Sequence, residues 1–232
     1  MPAERQSPVP ARRYSTFVGM AFLVLIAVAT LNTIRTNSGG VLGATEGERG
    51  MPLPEFAVPN ARTGPLDLDA NIAQDDCSTS QNPCPSDARR PSACQIPRQG
   101  AIRVCDLFDR PLVLSFWFTR VADCLPAQDA LDRVAHRYRG RVNFLSIDVR
   151  DDPAAVREIV AERGWSMPVG YDRDGAVSDL YRVGGCPTVA FAYPGGILAF
   201  AKVGDAVSSQ SQLAGETERL LRLSRARAKE AR

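Results

Sequence analysis

The stretch that decides the fold is "PLVLSFWFTRVADCLPAQDAL", residues 111–131. It opens with an unbroken apolar run, "PLVLSFWF" (111–118), of the kind found in strands buried on both faces. A short polar turn follows. Cys124 then stands at the head of a segment, 125–140, whose Leu131, Val134, Ala135 and Tyr138 recur at helical spacing, with Gly140 as the stop. A buried strand that feeds a helix through a short turn, with a cysteine at the helix tip, is one half of an α/β layer. The rest of the chain can be read outward from it.

Downstream, strands and helices keep alternating. "VNFLSIDV" (142–149) is a second strand, and "DPAAVREIVAERG" (152–164) a helix with Asp152 as N-cap, Pro153 in the first turn and Gly164 as C-cap. "DGAVSDLYRVG" (174–184) predicts another helix. "TVAFAY" (188–193), the turn "PGG" and "ILAFAKV" (197–203) predict a hairpin, and residues 209–232 a closing basic helix. This order implies one mixed sheet covered by helices.

Upstream, residues 1–16 are basic and polar. They precede "FVGMAFLVLIAVATLNTI" (17–34), a run without charge. A bilayer span takes about 20 largely apolar residues, about 17 at the least. The run therefore predicts a transmembrane anchor. A cleaved signal peptide is its rival, with "AVA" (27–29) as a small-residue cleavage site. In either case Arg5, Arg12 and Arg13 keep the N-terminus inside and place the remainder on the oxidising, extracytoplasmic side. Residues 35–52 form a Gly/Ser/Thr-rich tether, and 53–208 the folded domain.

The chain has 28 basic and 26 acidic residues, a balance that excludes nucleic acid as the main partner. Its six cysteines, in an exported chain, are available for disulfides. Cys77, Cys84, Cys94 and Cys105 crowd into a polar, turn-rich insert, residues 73–105. Two structural bridges there, at about 2–4 kcal/mol each, would offset the cost of ordering it. Three pairings are open. The absence of any C-x-x-C pair argues against a zinc site, and no metal or other cofactor is expected.

Three stretches together resemble the thioredoxin fold, and within it the membrane-anchored TlpA/ResA-type thiol-disulfide oxidoreductases. They are "PLVLSFWFT", "VNFLSIDVRDD" and "MPVGYDRDGAVSDLYRVGGCPTVAFAYPGG". The similarity runs from about Pro52 to Val203, interrupted by the insert. It implies protein thiols or disulfides as partners. It also implies a two-cysteine motif in the turn, whose second cysteine falls on Cys124 and whose first falls on Val121. Valine offers no nucleophile. The resemblance further implies a cis peptide bond at Pro187 and places that loop against the head of the active-site helix, so Cys186 faces Cys124.

The sequence leaves three readings of these sulfurs: a displaced redox pair, an inert bridge, or two buried thiols. In the first, Cys186 is the better nucleophile, because the second motif position is normally buried. Trp117, Thr119, Arg120, Val121 and Thr188 are the supporting residues. Arg120 reads as a solvated turn residue, Asp123 as a helix cap, Trp117 as wall or core, and His136 as a surface residue. A peroxidase site and a copper-chaperone site both lack their expected neighbours. The second function class is a redox-silent binding module that holds a peptide beside Pro187.

Overall fold

The computed structural model describes residues 18–28, 50–74, 91–120 and 124–230. The chain divides into two compact units, at residues 39 and 40. In the first, residues 18–28 form a helix, α1, whose side chains, Phe22, Leu23 and Leu25 among them, are exposed. The predicted anchor spans 17–34, and its other residues lie outside the described ones. No helix among the described residues is long and apolar enough to cross a membrane.

The second unit is built on a five-stranded sheet in the order β5-β4-β3-β6-β7. Its strands are β3 (Leu112–Trp117), β4 (Asn143–Val149), β5 (Val169–Asp172), β6 (Thr188–Tyr193) and β7 (Ile197–Val203). The pairs β3–β4 and β4–β5 are parallel, while β6 runs antiparallel to β3 and β7 antiparallel to β6. The central strand β3 is buried along its whole length. Its odd and even residues serve different layers, as the two-residue period of a strand requires. Val113 and Trp117 join Leu131 and Val134 of α2 (Cys124–Arg137), Tyr138 just after it, and Leu213 and Leu220 of α5 (Gln210–Glu230). Leu112, Leu114 and Phe116 pack on the other face with Phe56, Val177 and Tyr181.

Polar groups fix the helices to this frame. Gln128 of α2 is fully buried. It donates from Nε2 to Ser115 Oγ at 2.9 Å and accepts at Oε1 from Ser146 Oγ at 2.8 Å, which joins helix, β3 and β4. Asp129 accepts from Trp165 Nε1 at 2.7 Å, and Tyr138 OH donates to Glu218 of α5 at 2.8 Å. Helix α3 (Pro153–Arg163) begins and ends as the sequence predicts. Asp152 accepts from Ala154 N–H and Ala155 N–H at 3.0 Å each, and Gly164 takes the left-handed conformation, φ 60°.

Three expectations need correction. The helix predicted over 174–184 is the short α4, Ala176–Leu180. The chain turns away at Arg182, φ 50°, and Val183 N–H bonds back to Ser178 O at 2.9 Å, so the helix cannot continue. Strand β5 is not among the elements that the sequence pattern predicts, because Pro168 and Gly170 interrupt its apolar run. The glycine is required there: a Cβ on Gly170 would lie 2.5 Å from Val58 Cγ2 and 2.7 Å from Ile147 Cδ1. Finally, the insert is not one long loop. Its end forms β2 (Ala101–Arg103), which pairs antiparallel with β1 (Ala57–Pro59), and Val104 N–H donates to Phe56 O at 3.0 Å. Ile102 opposite Val58 and buried Val104 supply apolar anchors that a composition-level reading of residues 73–105 underweights.

Candidate functional site

The sheet topology brings four pieces of chain to one edge. The parallel strands β3 and β4 end there, α2 begins there, and antiparallel β6 starts there. Phe116 is opposite Thr188, so the residues just before Thr188 fall beside the end of β3. Those residues are Cys186 and Pro187, joined by a cis peptide bond as the resemblance implied. Cys186 is half-buried and Pro187 buried. Thr188 Oγ1 donates to Gly185 O at 2.6 Å, and Gly204 N–H to Pro187 O at 2.8 Å, which fixes the loop from both sides. Further back, Tyr181 OH donates to Pro54 O at 2.6 Å.

Cys124 is the first residue of α2 and is fully buried. Its sulfur is bonded to that of Cys186, with the two Cα atoms 5.7 Å apart. The two cysteines that the resemblance sets face to face, 62 residues apart in the chain, are joined in this structure. Cys94 and Cys105 form a second bridge, with Cα atoms 5.9 Å apart. Cys77, Cys84, Val121 and Asp123 lie outside the described residues.

Trp117 is wholly buried and meets Trp165 edge to face at 5.3 Å between ring centroids, so it belongs to the core under the site. His136 is exposed on α2, away from the helix tip. Thr119 is exposed too, but its N–H donates to Asp151 Oδ2 at 2.5 Å.

Arg120 is not the solvated turn residue expected. Its guanidinium pairs with Asp151 Oδ1 at 3.1 Å, donates to Val149 O and Arg150 O at 3.0 Å each, and lies 5.0 Å from the centre of the Phe118 ring. Thr119 and Arg120 are thus tied to the end of β4 through one buried carboxylate. A second carboxylate, Asp148, lies beside it. It is buried in β4 opposite Trp117, and Asp151 N–H approaches its Oδ1 at 3.4 Å. Burial first, then the like charge of Asp151, pushes Asp148 up to about 9. At neutral pH it is a neutral acid under the site. Sequence reasoning missed both residues, although an aspartate inside the apolar run "FLSIDV" is a signal that such a group exists.

No family model matches the chain. It is 26% identical over 99 residues to the thiol-disulfide oxidoreductase ResA of Oceanobacillus iheyensis, a match that covers 42% of this chain and 52% of ResA. The chain thus spans about half the length of this curated relative. Among solved structures, one described as the thiol:disulfide interchange protein DsbE of Chlorobium tepidum superposes with a TM-score of 0.54. It is 16% identical, over 75% of this chain and 97% of that one. A DsbF homologue from Corynebacterium diphtheriae gives 0.52 at 16% identity, over 79% and 92%. The fold is thioredoxin-like. By sequence this thioredoxin-like chain is similar to the ResA-type thiol-disulfide oxidoreductases, and it carries cysteine pairs on that scaffold.

Proposed function

We propose that the chain is a thiol-disulfide oxidoreductase that works through Cys124 and Cys186 rather than through two cysteines of one turn. The observation that carries this reading is the asymmetry of the bridge. Cys124 is fully buried at the head of a 14-residue helix, whereas Cys186 is only half-buried, in the loop before β6. In the oxidising direction, a partner thiolate attacks Cys186 Sγ. The Cys186–Cys124 bond breaks, and the electron pair leaves on Cys124, where the positive end of α2 favours a thiolate. A second partner thiolate then attacks its own sulfur in the mixed disulfide. The partner leaves oxidised and Cys186 departs as a thiolate. In the reducing direction the same steps run backwards, with Cys186 attacking a partner disulfide and Cys124 resolving the mixed intermediate. Neither direction needs a cofactor.

The partners are protein thiols or disulfides, the chemistry named for the ResA relative. We place the domain outside the cytoplasm on a single-pass N-terminal anchor. The support is the uncharged run 17–34 behind basic residues and the presence of bridged cysteines.

Equilibration in glutathione and dithiothreitol redox buffers, with alkylation and mass mapping of each cysteine, tests the proposal. The Cys124–Cys186 bridge is expected to open at potentials above about −300 mV, the range that structural bridges resist. A bridge that stays closed throughout would leave the redox-silent binding module instead.

A further inference from the structure

A different cluster lies on the other side of the sheet. Among the described residues, a carboxylate oxygen of Glu55 and the sulfurs of Cys94 and Cys105 all lie within 4.8 Å of one another, and all three residues are half-buried. The S–S bond is not what holds these residues together. Glu55 N–H donates to Gln74 Oε1 at 2.7 Å, and Gln74 Nε2 returns to Glu55 O at 2.8 Å. Arg103, in β2 opposite Ala57, donates from Nη1 to Cys94 O at 2.8 Å and to Ile96 O at 3.2 Å. Cys105 directly follows Val104, whose N–H is bonded to Phe56 O at 3.0 Å. Backbone and arginine contacts therefore keep the three side chains converging when the bridge is open.

We propose that this cluster is a reduction-gated metal site, in which Cys94, Cys105 and Glu55 bind a zinc-type divalent ion once their bridge is reduced. Tetrahedral zinc, at about 2.3 Å from sulfur and about 2.1 Å from oxygen, needs sulfurs roughly 3.8 Å apart and an oxygen roughly 3.6 Å from each. Cα atoms 5.9 Å apart meet this by side-chain rotation alone. Two thiolates favour zinc, cadmium or similar ions over magnesium or calcium, which take oxygen ligands. Two thiolates and one carboxylate carry three negative charges, of which the ion neutralises two. The Arg103 guanidinium is already paired with Asp106, from Nη2 to Oδ1 at 2.6 Å and from Nε to Oδ2 at 3.0 Å, so the loaded site keeps one net negative charge.

The chemistry balances with a dithiol as reductant. It gives two electrons and two protons, becomes a disulfide itself, and leaves two thiols on the chain. The ion then displaces those two protons to water. Exchange with a disulfide oxidant, which takes up the two electrons and departs as two thiolates, rebuilds the bridge and releases the ion. The segment thus has two closed states, one covalent and one metal-linked. This site shares no ligand with the Cys124–Cys186 pair and stands whether or not that pair is redox-active.

The test uses the full chain with Cys77, Cys84, Cys124 and Cys186 each changed to Ser, so that one thiol pair remains. It is titrated with Cd²⁺, read by thiolate-to-metal charge-transfer absorption, and with Zn²⁺ in competition. One ion per chain is expected after reduction by a dithiol that is then removed, and none after reoxidation. Glu55→Gln is expected to weaken binding at least tenfold, whereas Glu55→His, which restores a ligand, keeps it within a few-fold. The proposal is overturned if the reduced chain takes up no ion, or if Glu55→Gln binds as tightly as its parent. Should Glu55→Gln fail to fold by circular dichroism, Glu55→His decides: retained binding supports the carboxylate's role as ligand, and lost binding overturns it.

Discussion

The two described disulfides lie on opposite faces of one sheet and differ in what surrounds them. Cys124–Cys186 spans 62 residues and joins a helix tip to a loop, each already held by the core, by Gln128 and by the Thr188 and Pro187 hydrogen bonds. Cys94–Cys105 spans 11 residues in a segment with few large apolar groups. A crosslink that can open and close in use must leave its ends in register when open. The first pair has that support from the buried core, the second from the hydrogen bonds of Arg103 and of the β1–β2 ladder. The contrast shows why sulfur chemistry is assigned here by the surroundings of each bridge rather than by its presence.

The sharpest way to break this contrast is to remove the sulfur of half-buried Cys186. Cys186→Ser is expected to lower disulfide-exchange activity on a protein substrate by at least about a thousandfold, because the attacked atom is gone. Cys124→Ser should instead accumulate a mixed disulfide at Cys186, visible as a covalent adduct on non-reducing gels. His136→Gln should leave the rate unchanged. Equal loss in the Cys124 and Cys186 variants, with no adduct in either, would erase the distinction between attacking and resolving sulfurs.

Stability gives the next largest effect. Loop-closure entropy assigns about 4 kcal/mol to a bridge spanning 62 residues and about 3 kcal/mol to one spanning 11. Urea unfolding of a Cys124→Ala/Cys186→Ala chain and of a Cys94→Ala/Cys105→Ala chain measures both. The first is expected to lose slightly more stability yet stay folded, since its elements remain packed. If it unfolds outright, the site is not preorganised without its bond.

Asp148, buried in β4 beside the Cys124–Cys186 site, gives a pH-dependent effect. Its carboxyl is raised to about 9 in the fold from an ordinary value of 3.8. The folded chain therefore holds a proton that the unfolded chain releases. The sign follows from linkage: the contribution to stability is fully present below pH 4 and declines as pH rises towards 9, by at most about 1.4 kcal/mol per pH unit. Asp148→Asn mimics the neutral acid. It is expected to gain on the order of 2 kcal/mol over the parent at pH 8 and to lose that advantage near pH 4. Denaturant melts at both pH values check it, and a pH-independent difference would refute the assignment.

Much of this was legible in the sequence. The strands 112–117 and 143–149, the hairpin 188–203 and α3 with both caps follow from apolar runs and turn residues that act locally. Cys124 and Cys186 came from a resemblance, which implied that Cys186 stands where its loop meets the helix. What stayed hidden depends on partners distant in the chain. Strand β5 is recognisable only once Val58 is seen to press on Gly170, and β2 only once Ile102 meets Val58. Arg120 and Asp151 are 31 residues apart and each looks like an ordinary exposed charge until β4 brings them together.

That pair supplies the smallest effect and the finest cut. The Arg120 side chain is 52% exposed, while Asp151's is 3%. A half-exposed cation in an ion pair contributes about 0–1 kcal/mol after solvent screening, so Arg120→Ala should cost no more than that in a urea melt. Asp151→Ala differs in kind. It removes the acceptor of Thr119 N–H as well as the partner of Arg120, and a hydrogen bond to a charged acceptor contributes about 1.5–3 kcal/mol. The carboxylate, not the guanidinium, therefore anchors the chain at Thr119 and Arg120, just beyond β3. The two substitutions should rank in that order for stability and for the rate at which Cys186 exchanges, whereas the Cys94–Cys105 clip, on the other face, should reduce at the same potential in both. Equal costs for the two substitutions would mean that the turn is held by packing alone.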